Sequence, residues 1–293
     1  MLGNGAKVGR LTVCPTPIGN LRDITLRTLD VLREADVIAC EDTRRTGLLL
    51  EHHGVRREGV RLISLHEHNE RERAGELLRL MREGAHVALV SDAGMPLISD
   101  PGFPLVADAI AEGIEVEVLP GPSAVLAALV ASGLPVSGFC FTGFLPRSRG
   151  ELLRLLGAHS ETIVAFESPR RVGASLAVLA ELDPGRPVAV CRELSKLHEQ
   201  VLRGDAAELA AHYAAAEARG EIVLVIGGAD RKEGDRQAAT AALDALVKAG
   251  ARRRPAARVL ASLTGLSANA LYRSHPPEPE REQSSGAGSL GRP

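Results

Sequence analysis

Short runs of β-branched and other apolar residues alternate along this chain with longer stretches whose apolar positions recur every three or four residues. Leu11–Cys14, Val37–Cys40, Arg61–Leu65, Val87–Val90 and Val116–Leu119 read as strands. Between and after them, Leu26–Glu34, Thr46–His53, Glu70–Glu83, Pro104–Glu112 and Ser123–Ser132 carry helical spacing. Runs of period two or of unbroken apolar character, alternating with period 3.6, predict an α/β fold with a mostly parallel sheet and helices packed on it.

A second alternation follows a Gly-, Pro- and Phe-rich stretch, Leu134–Pro146, which reads as an interdomain connection. Helices are expected over Glu151–Ala158, Arg170–Leu182 and Ala206–Ala218, and strands over Thr162–Phe166, Pro187–Cys191, Glu199–Arg203 and Glu221–Ile226. Two successive strands without a helix between them suggest a mixed sheet. Beyond them, Ala238–Ala249, Arg252–Leu263 and Ser267–Tyr272 read as helices, the last two separated by Gly265. Residues 274–293 are rich in Pro, Gly, Ser and charge and are expected to be disordered. The organisation read here is an N-terminal α/β domain over 1–133, a second α/β domain with a mixed sheet over 134–230, a basic helical region over 231–273 and the tail.

Composition narrows the functional classes. The 293 residues are 45% hydrophobic and 25% charged, enough to bury a core and to exclude wholesale disorder. With 35 Lys+Arg against 37 Asp+Glu the formal net charge is −2, which excludes a protein that coats nucleic acid by a broad positive field. Aromatics make up 2%, without Trp, which argues against a base-stacking platform and an aromatic-lined cavity. Positive charge is local instead: between Gly250 and Arg273 stand Arg252, Arg253, Arg254, Arg258 and Arg273, with no acid.

Val118–Pro146 carries no charge, yet Pro and Gly interrupt it repeatedly. Its longest helical piece, Ser123–Ser132, covers about 15 Å, where a bilayer core needs about 30 Å. No membrane partner is expected. The four cysteines, Cys14, Cys40, Cys140 and Cys191, show no paired or metal-type spacing and lie in apolar strand-like stretches, and Met1–Arg10 has no apolar leader core. A reducing, cytoplasmic setting is expected.

In open α/β sheets, ligands bind beyond the carboxyl ends of the strands. The five strands of the first half exit into Pro15–Asn20, Glu41–Arg45, His66–Asn69, Ser91–Pro96 and Pro120–Ser123, all Gly, Pro or polar and all on one edge. Each alone reads as a turn; together they favour a ligand cleft. No G-x-G-x-x-G follows a strand and no G-x-x-x-x-G-K-[ST] occurs, so a pyrophosphate cradle is disfavoured. Asp92 and Asp100 on a Gly- and Pro-stiffened backbone suit a ligand with a cationic and hydroxyl-bearing portion, and S-adenosylmethionine has a sulfonium, an ammonium and a ribose diol. The His pairs 52/53 and 66/68 lack a third ligand at a characteristic spacing, so no metal is expected. No G-x-S-x-G elbow occurs.

Ordered strings then carry a resemblance. Thr16–Thr25, Cys40–Leu50, His66–Glu70, Val90–Gly102, Leu119–Ala124, Gly143–Pro146, Phe166–Ser168, Arg192–Leu194 and Ala268–Tyr272 resemble, in order, the rRNA small subunit methyltransferase I family of the tetrapyrrole methylase superfamily. The resemblance covers about Leu11 to Tyr272. It implies the tetrapyrrole-methylase (class III methyltransferase) fold, with two α/β domains, a cleft between them and S-adenosylmethionine in the cleft. It also implies 2′-O-methylation of a cytidine ribose in the decoding region of small-subunit rRNA within the ribosomal subunit, and a homodimer. Met95 stands where relatives commonly have Thr, and the C-terminal region has arginines and Pro255 where relatives are often lysine-rich.

By match to the family's loops, cofactor contacts are expected from Pro17, Asp92, Met95, Ile98, Ser123 and Ala124 of the first domain and Phe166, Leu194 and Ile222 of the second. Methyl transfer from a sulfonium is an in-line displacement in which positioning supplies much of the rate. A ribose hydroxyl is weakly acidic, so a base or a cation for the developing alkoxide is expected, with Asp42, Glu167 and Lys196 as candidates, the last beside Glu193. Arg252, Arg253, Arg254 and Arg258 can reach phosphates, and Arg44, Arg45, Arg170 and Arg171 lie near the expected cleft mouth. Two other readings stay open: methylation of a tetrapyrrole-type small molecule, and a non-enzymatic ribosome assembly factor.

Overall fold

The computed structural model describes residues 9–55, 59–215, 218–229, 233–264 and 266–273. The first half folds as β1 (Arg10–Val13), α1 (Leu26–Glu34), β2 (Val37–Cys40), α2 (Thr43–His52), β3 (Arg61–Ser64), α3 (Glu70–Arg82), β4 (His86–Val90), α4 (Phe103–Ala111) and β5 (Glu115–Val118). The strands form one parallel sheet in the order β3-β2-β4-β1-β5. Successive side chains on a strand face opposite ways, which sorts the core into two layers. Val37 and Ala39 join Leu77, Met81, Leu105 and Ala109 from α3 and α4 on one face. Ile38 and Cys40 join Leu32 and Leu50 from α1 and α2 on the other. Both faces are covered, which is why β4 is buried along its whole length and reads as an unbroken apolar run.

Helix α5 (Ala124–Ser132) leads into the second sheet. Its Val125, Ala128 and Leu129 pack on Val164, Ala189, Cys191 and Val223 of that sheet. There follow β6 (Phe139–Phe144), α6 (Arg149–Ala158), β7 (Thr162–Glu167), α7 (Val172–Leu182), β8 (Pro187–Arg192), β9 (Gln200–Asp205), α8 (Ala206–Ala215) and β10 (Ile222–Ile226). The order is β6-β7-β10-β8-β9, with β6 and β7 parallel and the other pairs antiparallel, the mixed sheet expected. Strand β6 occupies the stretch read as a connection, and its pairing with β7 shifts register between Phe141 and Phe144. Leu152, Leu156, Leu176, Leu179 and Leu209 of α6, α7 and α8 cover the face opposite α5.

The chain divides into two compact units, Met1–Ala229, which holds both sheets, and Asp230–Pro293. The second contains α9 (Glu233–Lys248), α10 (Arg253–Thr264) and α11 (Ala268–Arg273), with Leu243, Ala257 and Leu271 at the centre of its own core. Gly265 and the tail 274–293 lie outside the described residues. Among the described residues, no helix is long and apolar enough to cross a membrane.

Candidate functional site

The carboxyl edge of the first sheet is stitched before any ligand arrives. Thr16 and Gly94 exchange backbone hydrogen bonds of 2.9 and 3.0 Å, tying the exit of β1 to the exit of β4. The Thr16 hydroxyl donates to the Ser91 carbonyl at 3.0 Å, and the Ser91 hydroxyl donates to the Gly94 carbonyl at 3.2 Å. Asp92 reaches sideways to the exit of β2, where its carboxylate accepts from the Asp42 backbone N–H and from the Arg45 guanidinium, both at 3.1 Å. Asp42 caps α2, accepting from the backbone N–H groups of Arg44 and Arg45.

The second sheet brings its own loops to the same place. Residues 193–196 follow β8, and Lys196 Nζ donates to Glu193 at 2.9 Å and to Glu221, just before β10, at 3.0 Å. A clasp joins this turn to the first domain. The Asn20 backbone N–H donates to Ser195 Oγ at 2.9 Å, and that hydroxyl donates to the Asp23 carboxylate. Gly19 lies so close that a Cβ there would sit 2.4 Å from Lys196 Cγ and 2.9 Å from the Leu194 carbonyl oxygen. Among the described residues, the non-glycine positions with positive φ are Leu97, Ser99, Glu193 and Ser195. Leu97 and Ser99 belong to the loop after β4 and Glu193 and Ser195 to the turn after β8, and backbone strain of this kind gathers at ligand clamps.

Two cavities lie between these loops. The first, about 320 Å³, is lined by Pro17, Leu21, Arg45, Leu48, Asp92 and Lys196 among others. The second, about 430 Å³, is lined by Ile98, Asp100, Ala124, Phe144, Phe166 and Ile222 among others. Ile18, Ala93 and Glu221 border both. The few aromatics of the chain argued against an aromatic-lined cavity; Phe144 and Phe166 nevertheless meet at 5.5 Å and both line the larger one.

Electrostatics separate the candidate groups. Burial works to lower the Lys196 pKa, but its bonds to Glu193 and Glu221 outweigh that and hold it above the ordinary lysine value. The bond from Lys196, with that from the Glu221 N–H, holds Glu193 below the usual carboxylate range. Arg44, through its side chain and then its N–H, pulls Asp42 down to about 2. Burial, reinforced by the charge of Glu41, pushes Asp100 up to about 6.

Each residue singled out in the sequence has a definite place. Of the expected cofactor contacts, Ile98, Ala124, Phe166 and Ile222 line the larger cavity, and Pro17 and Asp92 the smaller. Met95 lines neither cavity, its carbonyl accepting from the Ile98 N–H in the loop after β4; Ser123 caps α5 by accepting from the Leu126 N–H, and Leu194 is buried against α5 and the second sheet. Of the proton-handling candidates, Lys196 lines the smaller cavity and Asp42 borders neither. Glu167 borders the larger, but its side chain is 0% exposed and engaged by Ser175, Arg171 and the Ser168 N–H. Arg44 and Arg45 are exposed, at 88% and 66%. Arg170 is exposed, whereas Arg171 donates to the carbonyls of Leu145 and Pro146. In the helical unit Arg253 pairs with Asp244 at 3.0 Å and Arg254 stacks over Tyr272, while Arg252 and Arg258 are exposed. Ile18, Phe144 and Glu221 were not singled out as site residues from the sequence, although Ile18 and Phe144 lie inside the motifs quoted for the resemblance.

A parallel five-stranded sheet, a mixed five-stranded sheet and a two-chambered cleft between their loops define a protein of the tetrapyrrole methylase class. Residues 10–210 match the family Tetrapyrrole (Corrin/Porphyrin) Methylases. Among solved structures, diphthine synthase superposes with a TM-score of 0.58 at 18% identity, covering 74% of this chain and 89% of that one. Uroporphyrin-III C-methyltransferase from Thermus thermophilus, complexed with S-adenosyl homocysteine, gives 0.52 at 23% identity, covering 75% and 97%. Likeness at that level speaks for the fold. Nearer in sequence are proteins named ribosomal RNA small subunit methyltransferase I. That of Mesorhizobium japonicum is 46% identical over 271 residues, 90% of each chain. That of Thermotoga maritima is 46% identical over 223 residues, 75% of this chain and 99% of that one. That of Escherichia coli O157:H7 is 44% identical over 271 residues, 90% and 94%. This chain belongs to the ribosomal RNA small subunit methyltransferase I family.

Proposed function

We propose that this chain transfers a methyl group from S-adenosylmethionine to the 2′-hydroxyl of a cytidine ribose in the decoding region of small-subunit rRNA. Family membership supplies the coarse part, an S-adenosylmethionine-dependent methyltransferase of small-subunit rRNA. The observation that carries the finer part is Lys196, protonated at the wall of the smaller cavity by its two carboxylate partners.

The larger cavity fits the cofactor. It joins an apolar wall of Ile98, Ala124, Phe166 and Ile222 to a carboxyl at Asp100, matching a ligand with an apolar ring and a cationic portion. When bound, the cofactor supplies an activated methyl on a sulfonium. The remaining work falls to this chain. Lys196, held above its ordinary pKa, is a poor general base at neutral pH and a good cation for the alkoxide that develops as the ribose hydroxyl loses its proton. Glu221, bonded to Lys196 and bordering both cavities, is placed to take that proton. Asp42, pulled down to about 2 and serving as a helix cap, is a weak base, and Glu167 is committed to interior partners. These two act as positioning groups for the loops.

Exposed Arg44, Arg45 and Arg170 near the cleft, with Arg252 and Arg258 of the helical unit, supply phosphate contacts. A homodimer is supported by large exposed apolar residues on α4 and α5, namely Phe103, Ile110, Leu126 and Val130. The four free cysteines suit the cytoplasm, where ribosomal subunits are assembled. The deciding experiment follows labelled methyl from S-adenosylmethionine into small ribosomal subunits and then into isolated nucleosides. Label in 2′-O-methylcytidine, lost in Lys196→Ala with cofactor affinity intact, is the expected result. Label in a base or in a tetrapyrrole acceptor refutes the reading, and so does cofactor binding without transfer to any RNA.

A further inference from the structure

We propose that Cys140, His159 and Glu161 form a site for one zinc ion, at the opposite end of the second sheet from the cleft, where the ion clips the edge strand β6 to the turn that feeds β7. One ligand atom from each side chain (thiol, imidazole and carboxylate) lies within 4.8 Å of the other two. Spacing along the chain hides this group, since Cys140 precedes the other two by 19 and 21 residues, and the expectation of no metal rested on spacing. The register of the sheet brings them together. Strand β6 runs parallel to β7 with Phe139 opposite Thr162 and Cys140 opposite Ile163, so His159 and Glu161 stand just before the strand that Cys140 lies beside.

The donor set selects the metal. Magnesium and calcium take oxygen donors, whereas a thiolate, an imidazole and a carboxylate together suit zinc. At bond lengths of about 2.0–2.3 Å, donors at tetrahedral angles stand about 3.3–3.6 Å apart. His159 Nδ1 and a Glu161 oxygen are already 3.0 Å apart, so the farthest donor need approach by only about 1 Å, which side-chain rotation can supply. An ion pair accounts for His159 and Glu161 but leaves the thiol beside them without a role. Zinc accounts for all three, with the thiol proton released to solvent as the Zn–S bond forms. Water completes the fourth position, since the His159 and Glu161 side chains are 27% and 41% exposed.

The backbone that carries these ligands is fixed from behind. Arg186, 1% exposed, donates to the carbonyls of Gly227 at 2.6 Å and Leu156 at 2.7 Å and reaches that of His159 at 3.5 Å. The Ala229 N–H donates to the same His159 carbonyl at 3.3 Å, and a Cβ on Gly228 would lie 2.0 Å from the Ser160 carbonyl oxygen. The Thr162 hydroxyl donates to the Pro135 carbonyl at 2.8 Å, tying the start of β7 to the segment that enters β6. Ligands on a held backbone lose less freedom on binding, which favours affinity. Strand β6 is an outer strand of its sheet, and its pairing with β7 slips after Phe141, so a clip at its start has an edge to hold. Phe144, Phe166 and Glu167 line the larger cavity from the far ends of the same two strands, four to six residues away, or about 13–20 Å at 3.2–3.4 Å per residue. The ion is therefore structural and takes no part in methyl transfer.

The test uses the full chain, stripped of metal by a chelator and kept reduced by a phosphine. Zinc is titrated by calorimetry, cobalt is added as a spectroscopic probe, and melting temperature and single-turnover methyl transfer are read with and without zinc. Wild type should bind one zinc per chain and melt at a higher temperature in its presence. With cobalt it should show the near-ultraviolet band of a metal–thiolate bond and the visible bands of a tetrahedral centre. Loss of even an outer partner costs a metal site about 10–100-fold, so Cys140→Ser and His159→Ala should weaken zinc binding by about 100-fold or more. Cys140→Ser should also lose the thiolate band. His68→Ala, which removes half of an exposed histidine pair, should bind zinc as wild type does, and magnesium should not compete. Melting without zinc checks that each variant folds; Glu161→Gln, which keeps the shape of an exposed side chain, gives a further reading with an expected loss of about ten-fold or more. Zinc affinity that survives Cys140→Ser within about three-fold, a cobalt spectrum without the thiolate band, binding lost in His68→Ala, or no saturable zinc binding overturns the site. A transfer rate that falls on stripping and returns with zinc overturns its structural role.

Discussion

Adding one methyl group at Gly19 tests whether the narrow approach of the two domains sets the rate. A Cβ there would lie 2.4 Å from Lys196 Cγ, 2.9 Å from the Leu194 carbonyl oxygen and 3.2 Å from Ser195 C. Carbon–carbon contacts are optimal at about 3.5–4.0 Å, so Lys196 Cγ must retreat by about 1 Å or more, and the Leu194 carbonyl by about half that. The lysine stem can swing, but its Nζ then leaves Glu193 or Glu221; the backbone carbonyl can yield only if the 193–196 turn opens away from the first domain. Overpacking of this kind costs about 1–3 kcal/mol and should lower the melting temperature by a few degrees. Rate is hit harder, because a displacement of about 1 Å in a positioned group costs about 100-fold. Gly19 borders only the smaller cavity, so cofactor affinity should stay within about three-fold of wild type. Single-turnover transfer with saturating cofactor, beside a calorimetric cofactor titration, reads both quantities. A Gly19→Ala enzyme that transfers at the wild-type rate would show that Lys196 does not need this seat. One that loses cofactor affinity in proportion to rate would show that the seat belongs to the cofactor.

Other substitutions separate holding from reacting. Ser195→Gly relieves a positive φ but deletes the hydroxyl that joins Asn20 to Asp23, so transfer should slow about ten-fold without loss of melting temperature; a normal rate would rule out the clasp. Glu167→Ala should cost about 3–5 kcal/mol in denaturant unfolding, because it strands Arg171 and Ser175 around a fully buried carboxylate site. Lys196→Ala should cost rate and little stability, and the reverse pattern would exchange their roles. Asp100 is held near 6, above its ordinary 3.8, so its contribution to stability is complete below 3.8 and lost as pH rises through about 6. Asp100→Asn should therefore melt above wild type at pH 7–8, by at most about 2–3 kcal/mol at roughly 1.4 per pKa unit, and the gap should close towards pH 4. A gap that is constant with pH would contradict the burial assigned to this carboxyl.

The first sheet was legible because a parallel sheet covered on both faces leaves unbroken apolar runs such as His86–Val90, and because its ligand edge comprises strand exits alone. The second sheet obeys a different rule. Its central strands run antiparallel, with Ile222 opposite both Glu167 and Arg192, so the cleft edge mixes the ends of β7 and β8 with the start of β10. Looking after strands therefore finds Glu167 and Lys196 and passes over Glu221. Strand β6 was missed because Pro and Gly surround it and Gly143, at φ 69, breaks its register. The strand-exit pattern marks Asp100 as a carboxyl facing a ligand, but only the fold shows it half-buried beside two further carboxylates. The arginines of α10 all look alike in sequence; a neighbouring Asp244 and a Tyr272 ring distinguish the engaged pair from Arg252 and Arg258.

The four left-handed residues set a limit on improving this protein. Glycine at 97, 99, 193 or 195 would adopt the same φ without the Cβ penalty, so a search for heat resistance would find these positions attractive. Yet they stand in the loops that bring Ile98 and Ser99 to one cavity and Lys196 to the other. A backbone freed of its discomfort there would also be free to wander before substrate arrives, and the gain in endurance would be taken from readiness. Variants selected for survival at high temperature should thus drift towards sluggish transfer at these four positions sooner than anywhere in the cores.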